Sequence, residues 1–194
     1  MEQALSASGQ LATPRRLSPF ELANVYEEGF NLAMIPPEQK AEMMRHGFVT
    51  TFPTAGAVIL GIITLNIFAL IYYGLKHSKL PKIKSDDFGA GRAIGFIFIP
   101  FFNFYWIFVF WGRLADRINW QFRLRGELPP VSKGLAVAIP ILTITSLIPV
   151  VGIVTGLTNL LILVPIIGSQ IQNASNRLAE WNMAAASAMR QSTA

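Results

Sequence analysis

Three stretches without a single Asp, Glu, Lys or Arg constrain this chain more than any other feature: Val49–Leu75, Ala93–Gly112 and Gly134–Asn176. A helix needs about 20 apolar residues to cross a hydrocarbon core of ~30 Å. Each of the first two stretches is long enough for one crossing. The third would make about 64 Å of helix at ~1.5 Å per residue, enough for two. All three are apolar on every side, whereas a surface helix of a soluble protein keeps a polar face. Charged residues are 14% of the 194-residue chain, against roughly 25% in soluble proteins. The sequence therefore predicts an all-α integral membrane helical bundle. Its four transmembrane helices fall at about 54–76, 91–112, 131–148 and 153–171, inside a bundle domain of 54–176.

The flanks are different. The first 16 residues read as a small, polar tail without the apolar core of a signal peptide. Ser18-Pro19-Phe20-Glu21 reads as a helix start, with Ser capping and Glu reaching back. That helix should stop at Pro36-Pro37, and a second short one should run from Glu38 to His46 and end at Gly47. Residues 1–53 hold four Lys/Arg and six Glu. They are expected to form an acidic, amphipathic appendage, lying on the membrane surface or against a partner. Beyond Gly112, Leu114, Ile118 and Phe122 share a face, so Arg113–Arg125 is expected to leave the bilayer as an amphipathic extension along its surface. Residues 177–194 form a similar C-terminal tail.

Pro100 is expected to kink the second helix, and Pro149-Val150-Val151-Gly152 to make a tight turn between the third and fourth. The runs Ile99-Pro100-Phe101-Phe102-Asn103 and Ile148-Pro149-Val150-Val151-Gly152 echo one another, each followed by a helix leading toward Asn119 or Asn176. Duplicated helical hairpins and coincidence both account for this. The run Ile99 through Phe108, with Leu114-Ala115 and Ile118-Asn119, resembles an uncharacterised bacterial family of small multi-pass membrane proteins bearing an Ile-Pro-Phe-Phe-Asn-x-Tyr-Trp motif. Residues 148–178 are similar to that family's C-terminal end, and the resemblance covers about 75–182. It implies a bacterial inner (cytoplasmic) membrane location and transfers no activity.

Chemistry is scarce. There are no cysteines, so disulfides and thiolate sites are excluded. No ionisable residue falls within a predicted span, which argues against proton- or ion-coupled transport. No catalytic or metal-binding set is expected and no cofactor is predicted, although contact with lipid or pigment stays open. With a spanning first helix, His46 and His77 lie on opposite sides of the membrane. His77, at a helix end, reads either as an interfacial histidine or as a single ligand for a pigment or haem. The pairs Gly91/Gly95 and Gly152/Gly156 have small-xxx-small spacing and are candidate helix-packing sites. Thr64, Asn66, Asn103, Thr143, Thr145, Thr158 and Asn159 are uncharged polar residues within spans. Interhelical hydrogen bonding explains them most simply; a polar track through the bundle is the sharper alternative.

The net charge of +5 comes from basic residues beside the apolar segments, where they meet anionic headgroups rather than nucleic acid. Four crossings put eleven Lys/Arg on the side of both termini, hence cytoplasmic, and leave five on the other side, all within 76–92. If Pro100 and Pro149 instead mark re-entrant hairpins, twelve gather on one side and the N-terminus alone faces out. Ten large rings between Phe96 and Trp111 exceed what neighbouring helices can cover. Asn103, Tyr105 and Trp106 are therefore candidates for an interface with another membrane-protein subunit. The expected function is a non-catalytic scaffold or accessory subunit of a membrane assembly. The alternative is a transporter or channel for a small neutral or lipid-like solute.

Overall fold

A computed structural model describes residues 15–192, and most of the polar N-terminal tail lies outside them. The described chain is helical throughout, without a strand. Each charge-free stretch folds into an antiparallel hairpin. The 54–76 segment, expected as one helix, is two: α2 (Thr54–Ile63) and α3 (Ile67–Lys79). Between them Leu65 and Asn66 take φ of 49° and 68°. Thr64 causes the break locally: its hydroxyl donates to the Leu60 carbonyl at 2.7 Å and accepts the Phe68 amide at 3.0 Å. Such hydroxyl bonds compete with the helical ladder, and Asn tolerates the left-handed conformation that reverses the chain. Apolar composition alone carries no trace of this reversal.

The other two hairpins turn at the echoed motifs. α4 (Ala90–Gly95) with a 3-10 turn at Phe96–Phe98 leads to α5 (Phe102–Arg123). α6 (Lys133–Thr145) leads to α7 (Val151–Thr158), a π turn at Asn159–Leu163 and α8 (Val164–Ser192). In both reversals the residue after proline has positive φ, 61° at Phe101 and 70° at Val150. The next amide donates back to the proline carbonyl, Phe102 to Pro100 at 2.7 Å and Val151 to Pro149 at 2.8 Å. Each is a γ-turn opened by a proline that has no amide to continue the helix. Pro100 therefore reverses the chain, the alternative to the kink that a continuous second helix requires. The turn at Pro149 falls where the sequence reading put it.

The hairpins close on one another in cyclic order: α3 packs on α4, α5 on α6, and α8 returns to α2. Two asparagines clasp this arrangement in the same way. Asn119 of α5 donates to the Val131 carbonyl at 2.7 Å and accepts the Val131 amide at 2.9 Å, just before α6. Asn176 of α8 does the same to Phe52, just before α2, at 2.9 and 3.0 Å. The second arms run side by side in one direction. Tyr73 meets Trp111 at 5.6 Å between ring centroids, Tyr72 donates to Gln172 at 2.8 Å, and the Asn182 amide donates to the Phe48 carbonyl at 2.9 Å. All three tips consequently lie at one end.

At the other end is a polar-surfaced base. The acidic N-terminal segment, which includes α1 (Pro37–Met44), packs onto this chain's own α5. Leu17, Leu22, Val25, Tyr26 and Met43 enclose Trp120 and Leu124. Arg123 fixes the segment by donating to the Glu27 and Glu28 carbonyls at 2.7 and 2.9 Å. The stretch 113–125, expected along the membrane surface, is instead the centre of this base: Leu114, Ala115, Ile118, Trp120 and Phe122 are all buried.

Candidate functional site

The tip end is the feature with functional content. Each tip presents large apolar side chains outward: Leu65 is 73% exposed, Phe101 86% and Val150 82%, with Ile63, Phe98, Leu147 and Ile153 beside them. Every Lys and Arg lies outside the three charge-free stretches, hence toward the base. An apolar patch of this kind on a soluble protein would promote association. The tips also satisfy their own backbone. The Leu65, Asn66 and Ile67 amides bond to the Ile62, Gly61 and Thr64 carbonyls, and Ile99, Asn103 and Phe104 likewise bond within their own turn. Arms such as α2, α3 and α6, of 10, 13 and 13 residues, rise ~15–20 Å, less than the ~30 Å hydrocarbon core. Among the described residues one helix, the continuous Val151–Ser192, is long and apolar enough to cross a membrane.

The predicted interface residues part company. Tyr105 points outward, 63% exposed, together with Phe104. Trp106 turns inward: it is 7% exposed, its Nε1 donates to the Ala93 carbonyl at 3.0 Å, and its ring packs against Phe88 and Phe96. It is therefore part of the hairpin's own seam and does not face outward. Asn103 is half-buried, and its Oδ1 has no partner.

His77 is fully buried, sandwiched between the Phe88 and Phe110 rings at 4.7 and 5.1 Å, with Arg117 beside it. No planar macrocycle could reach it without displacing Phe88. The two histidines also lie at the same end of the molecule, because the Gly47 amide donates to the Lys79 carbonyl at 2.6 Å. The opposite-side placement fails with the reversal at Thr64–Asn66. Among the described residues no group of His, Cys, Asp or Glu could hold a metal ion.

The glycine pairs also separate. A Cβ on Gly91 or Gly95 would meet nothing within 4 Å, so neither is a close-packing site. On Gly152 it would lie 2.1 Å from the Ser146 carbonyl oxygen, and on Gly156 3.5 Å from the Ser146 Cβ. That pair does permit a close approach, within the third tip. Two contacts escaped the sequence reading: a Cβ on Gly74 would strike Ile94 at 2.5 Å, and one on Gly168 the Tyr73 hydroxyl at 2.6 Å. Gly168 has no small neighbour four residues away to mark it, whereas Gly74 has Ser78.

Two buried polar clusters hold the base together. Arg117 donates to the Phe88 and Pro81 carbonyls at 2.9 and 3.0 Å and also to the Leu80 carbonyl, clasping the loop between α3 and α4. Asp87 accepts the Ile83 and Lys84 amides at 2.9 and 3.0 Å and the Tyr26 hydroxyl at 2.5 Å. Burial, then the Asp87 charge, pushes the Tyr26 phenol well above the usual range. A groove nearby of about 400 Å³ is lined by Lys84, Arg113, Lys133, Glu27 and Asp116. Arg113 is paired with Asp86 and Lys133 with Asp116, and the Lys84 ammonium lies over the Tyr26 ring.

The fold and the tip end thus define an all-helical chain of three hairpins on one polar base. No family model, curated protein or solved structure matches the chain.

Proposed function

We propose that this protein is a non-catalytic scaffold or accessory subunit that sits in a bilayer through its three hairpin tips, entering from one face. The observation that carries the reading is the common direction of the three reversals. It gathers the exposed apolar side chains of Leu65, Phe101 and Val150 at one end and every basic residue toward the other. The expected four-crossing bundle needs 54–76 to be one helix, and the reversal at Leu65-Asn66 favours hairpins instead. It also removes the difficulty of five basic residues stranded on the far side, since 76–92 returns to the same face as both termini. Self-bonded turn backbones are what hydrocarbon demands of irregular chain. The resemblance to bacterial membrane proteins and the one-sided positive charge support a bacterial cytoplasmic membrane with the base toward the cytoplasm. Phe98, Phe104 and Tyr105, exposed on the second hairpin, supply the surface for neighbouring subunits; lipid covers the remainder.

Single cysteines test the arrangement, since the natural chain has none. Ser85→Cys and Ser192→Cys should react with an impermeant maleimide from the same side, and Leu65→Cys and Val150→Cys from neither. Labelling of Ser85→Cys and Ser192→Cys from opposite sides would restore the four-crossing bundle and end the hairpin reading.

A further inference from the structure

The three hairpins do not reach equally far, and the molecule tapers toward their tips. The charged residue nearest the tip is Lys76 on α3, Arg113 on α5 and Lys133 on α6. From these to Leu65, Phe101 and Val150 the chain rises at most about 16, 18 and 25 Å, at ~1.5 Å per residue. Half of a ~30 Å hydrocarbon core is about 15 Å, so the first two tips end close to the midplane and the third passes it. Side contacts agree: Leu65 and Asn66 share one cavity wall with Thr143 and Asn159, and from Thr143 the third hairpin climbs about 10 Å further to Val150. The continuous helix Val151–Ser192 adds no reach beyond this. The Ser132 amide donates to the Gln170 side chain at 2.9 Å, which sets Gln170 level with the entry to α6. At the other end the molecule widens. The N-terminal segment lies against Trp120 and Leu124, past Arg113 and hence outside the hydrocarbon. α8 runs on beyond the Asn176 clasp to Ser192, exposed from Met183. Nothing comparable surrounds the tips, where single turns of chain stand exposed.

We infer that this protein acts on membrane shape: it favours a surface that is convex on the face carrying its base and, by linkage, lowers the cost of bending the bilayer that way. The activity rests on the bilayer reading above, since insertion from one face is what makes the two leaflets unequal. Six arms of ~10 Å diameter take roughly 500 Å² of the near leaflet, and the two that pass the midplane roughly 160 Å² of the far one. A leaflet that gains more area than its partner relaxes by bending outward. The wide base adds in the same sense, because it spreads headgroups more than acyl chains. Amphipathic helices seated in one leaflet are curvature-sensitive binders for the same reason. Four full crossings would add equal area to both leaflets and give no such preference.

The test uses the full chain carrying Ser192→Cys in giant vesicles of a single phosphatidylcholine, so that lipids have nothing to sort. An impermeant maleimide dye added outside reports molecules with the base outward. The same dye trapped in the lumen reports the opposite orientation. A narrow tether pulled outward from the vesicle is convex on its outer face. Base-out molecules should be several-fold denser per lipid on the tether than on the vesicle body, and base-in molecules should be depleted there. The force that holds the tether should fall as base-out density rises. Ser85→Cys, in the loop between α3 and α4, should give the same ratios. Equal densities on tether and body, enrichment of both orientations, or a force indifferent to protein density overturns the inference. A chain whose Ser85→Cys and Ser192→Cys label from one side, yet which spreads evenly, keeps its hairpins and loses the curvature preference alone. Labelling of the two from opposite sides removes both.

Discussion

Asn176 and Phe52, 124 positions apart, form a two-point clasp: the Asn176 side chain donates to the Phe52 carbonyl at 2.9 Å and accepts the Phe52 amide at 3.0 Å. The clasp closes the ring of hairpins, because it joins the last helix to the entry of the first. Replacing Asn176 with Ala leaves the Phe52 amide without its partner, while the Phe52 carbonyl keeps the Gln172 side-chain amide at 3.0 Å, at a cost of ~1–3 kcal/mol. Asn119→Ala should cost a similar amount at Val131. Equilibrium unfolding in mild detergent measures both. If Asn176→Ala unfolds like the parent, the ring is held closed by packing alone.

Glycine substitutions should divide sharply. Gly91→Ala and Gly95→Ala meet open space and should be neutral or stabilising by up to ~1 kcal/mol, the usual gain of Ala over Gly in a helix. Gly152→Ala drives a methyl into the Ser146 carbonyl, and Gly168→Ala drives one into the Tyr73 hydroxyl. Both should destabilise by at least the ~1–3 kcal/mol typical of overpacking. Thermal unfolding of the four variants decides the matter, and equal effects across them would show that the tip and the α3–α8 seam are loose.

Val150 holds a φ of 70° with its side chain 82% exposed. Such conformations cost an L-residue of order 1–3 kcal/mol, and little protein packing is lost on truncation. Val150→Gly should therefore raise stability by ~1 kcal/mol in detergent, whereas Val151→Gly, at the start of α7, should lower it. A fall in melting temperature with Val150→Gly would mean that the tip is not strained as drawn.

Outward Tyr105 and inward Trp106 predict opposite phenotypes. Phe104→Ala with Tyr105→Ala should leave the protein inserted and stable but free of the companions that co-purify with the parent from native membranes. Trp106→Ala should instead lower stability by ~3–5 kcal/mol, as loss of a buried aromatic does. Unchanged companions in the double variant would hand the exposed rings to lipid.

His46 gives the base a pH dependence. Burial, helped by the nearby Arg125 charge, lowers its pKa to about 4. Between pH ~6.5, where the unfolded imidazole titrates, and about 4, the unfolded chain takes up a proton that the folded chain refuses. Stability should fall as pH drops through that window, with buried His77, pushed down to about 3, adding to the same slope. His46→Gln should flatten this segment of the stability curve. A curve that keeps its slope locates the effect in other groups.

The sequence by itself determined where the chain must be apolar, that it is helical, and that Pro149 opens a turn, while it left Pro100 between a kink and a reversal; charge-free runs and Ile-Pro pairs are local facts. The echo between Ile99-Pro100 and Ile148-Pro149 proved to be one turn geometry used twice, and even Asn119 and Asn176 carry matching roles. Tertiary structure alone decided direction. The reversal at Leu65-Asn66 depends on a threonine hydroxyl outcompeting a helical ladder by a small margin, and hydrophobicity is blind to that margin. Inward Trp106 and outward Tyr105 are adjacent and chemically alike, so only the position of Ala93 across the hairpin distinguishes them.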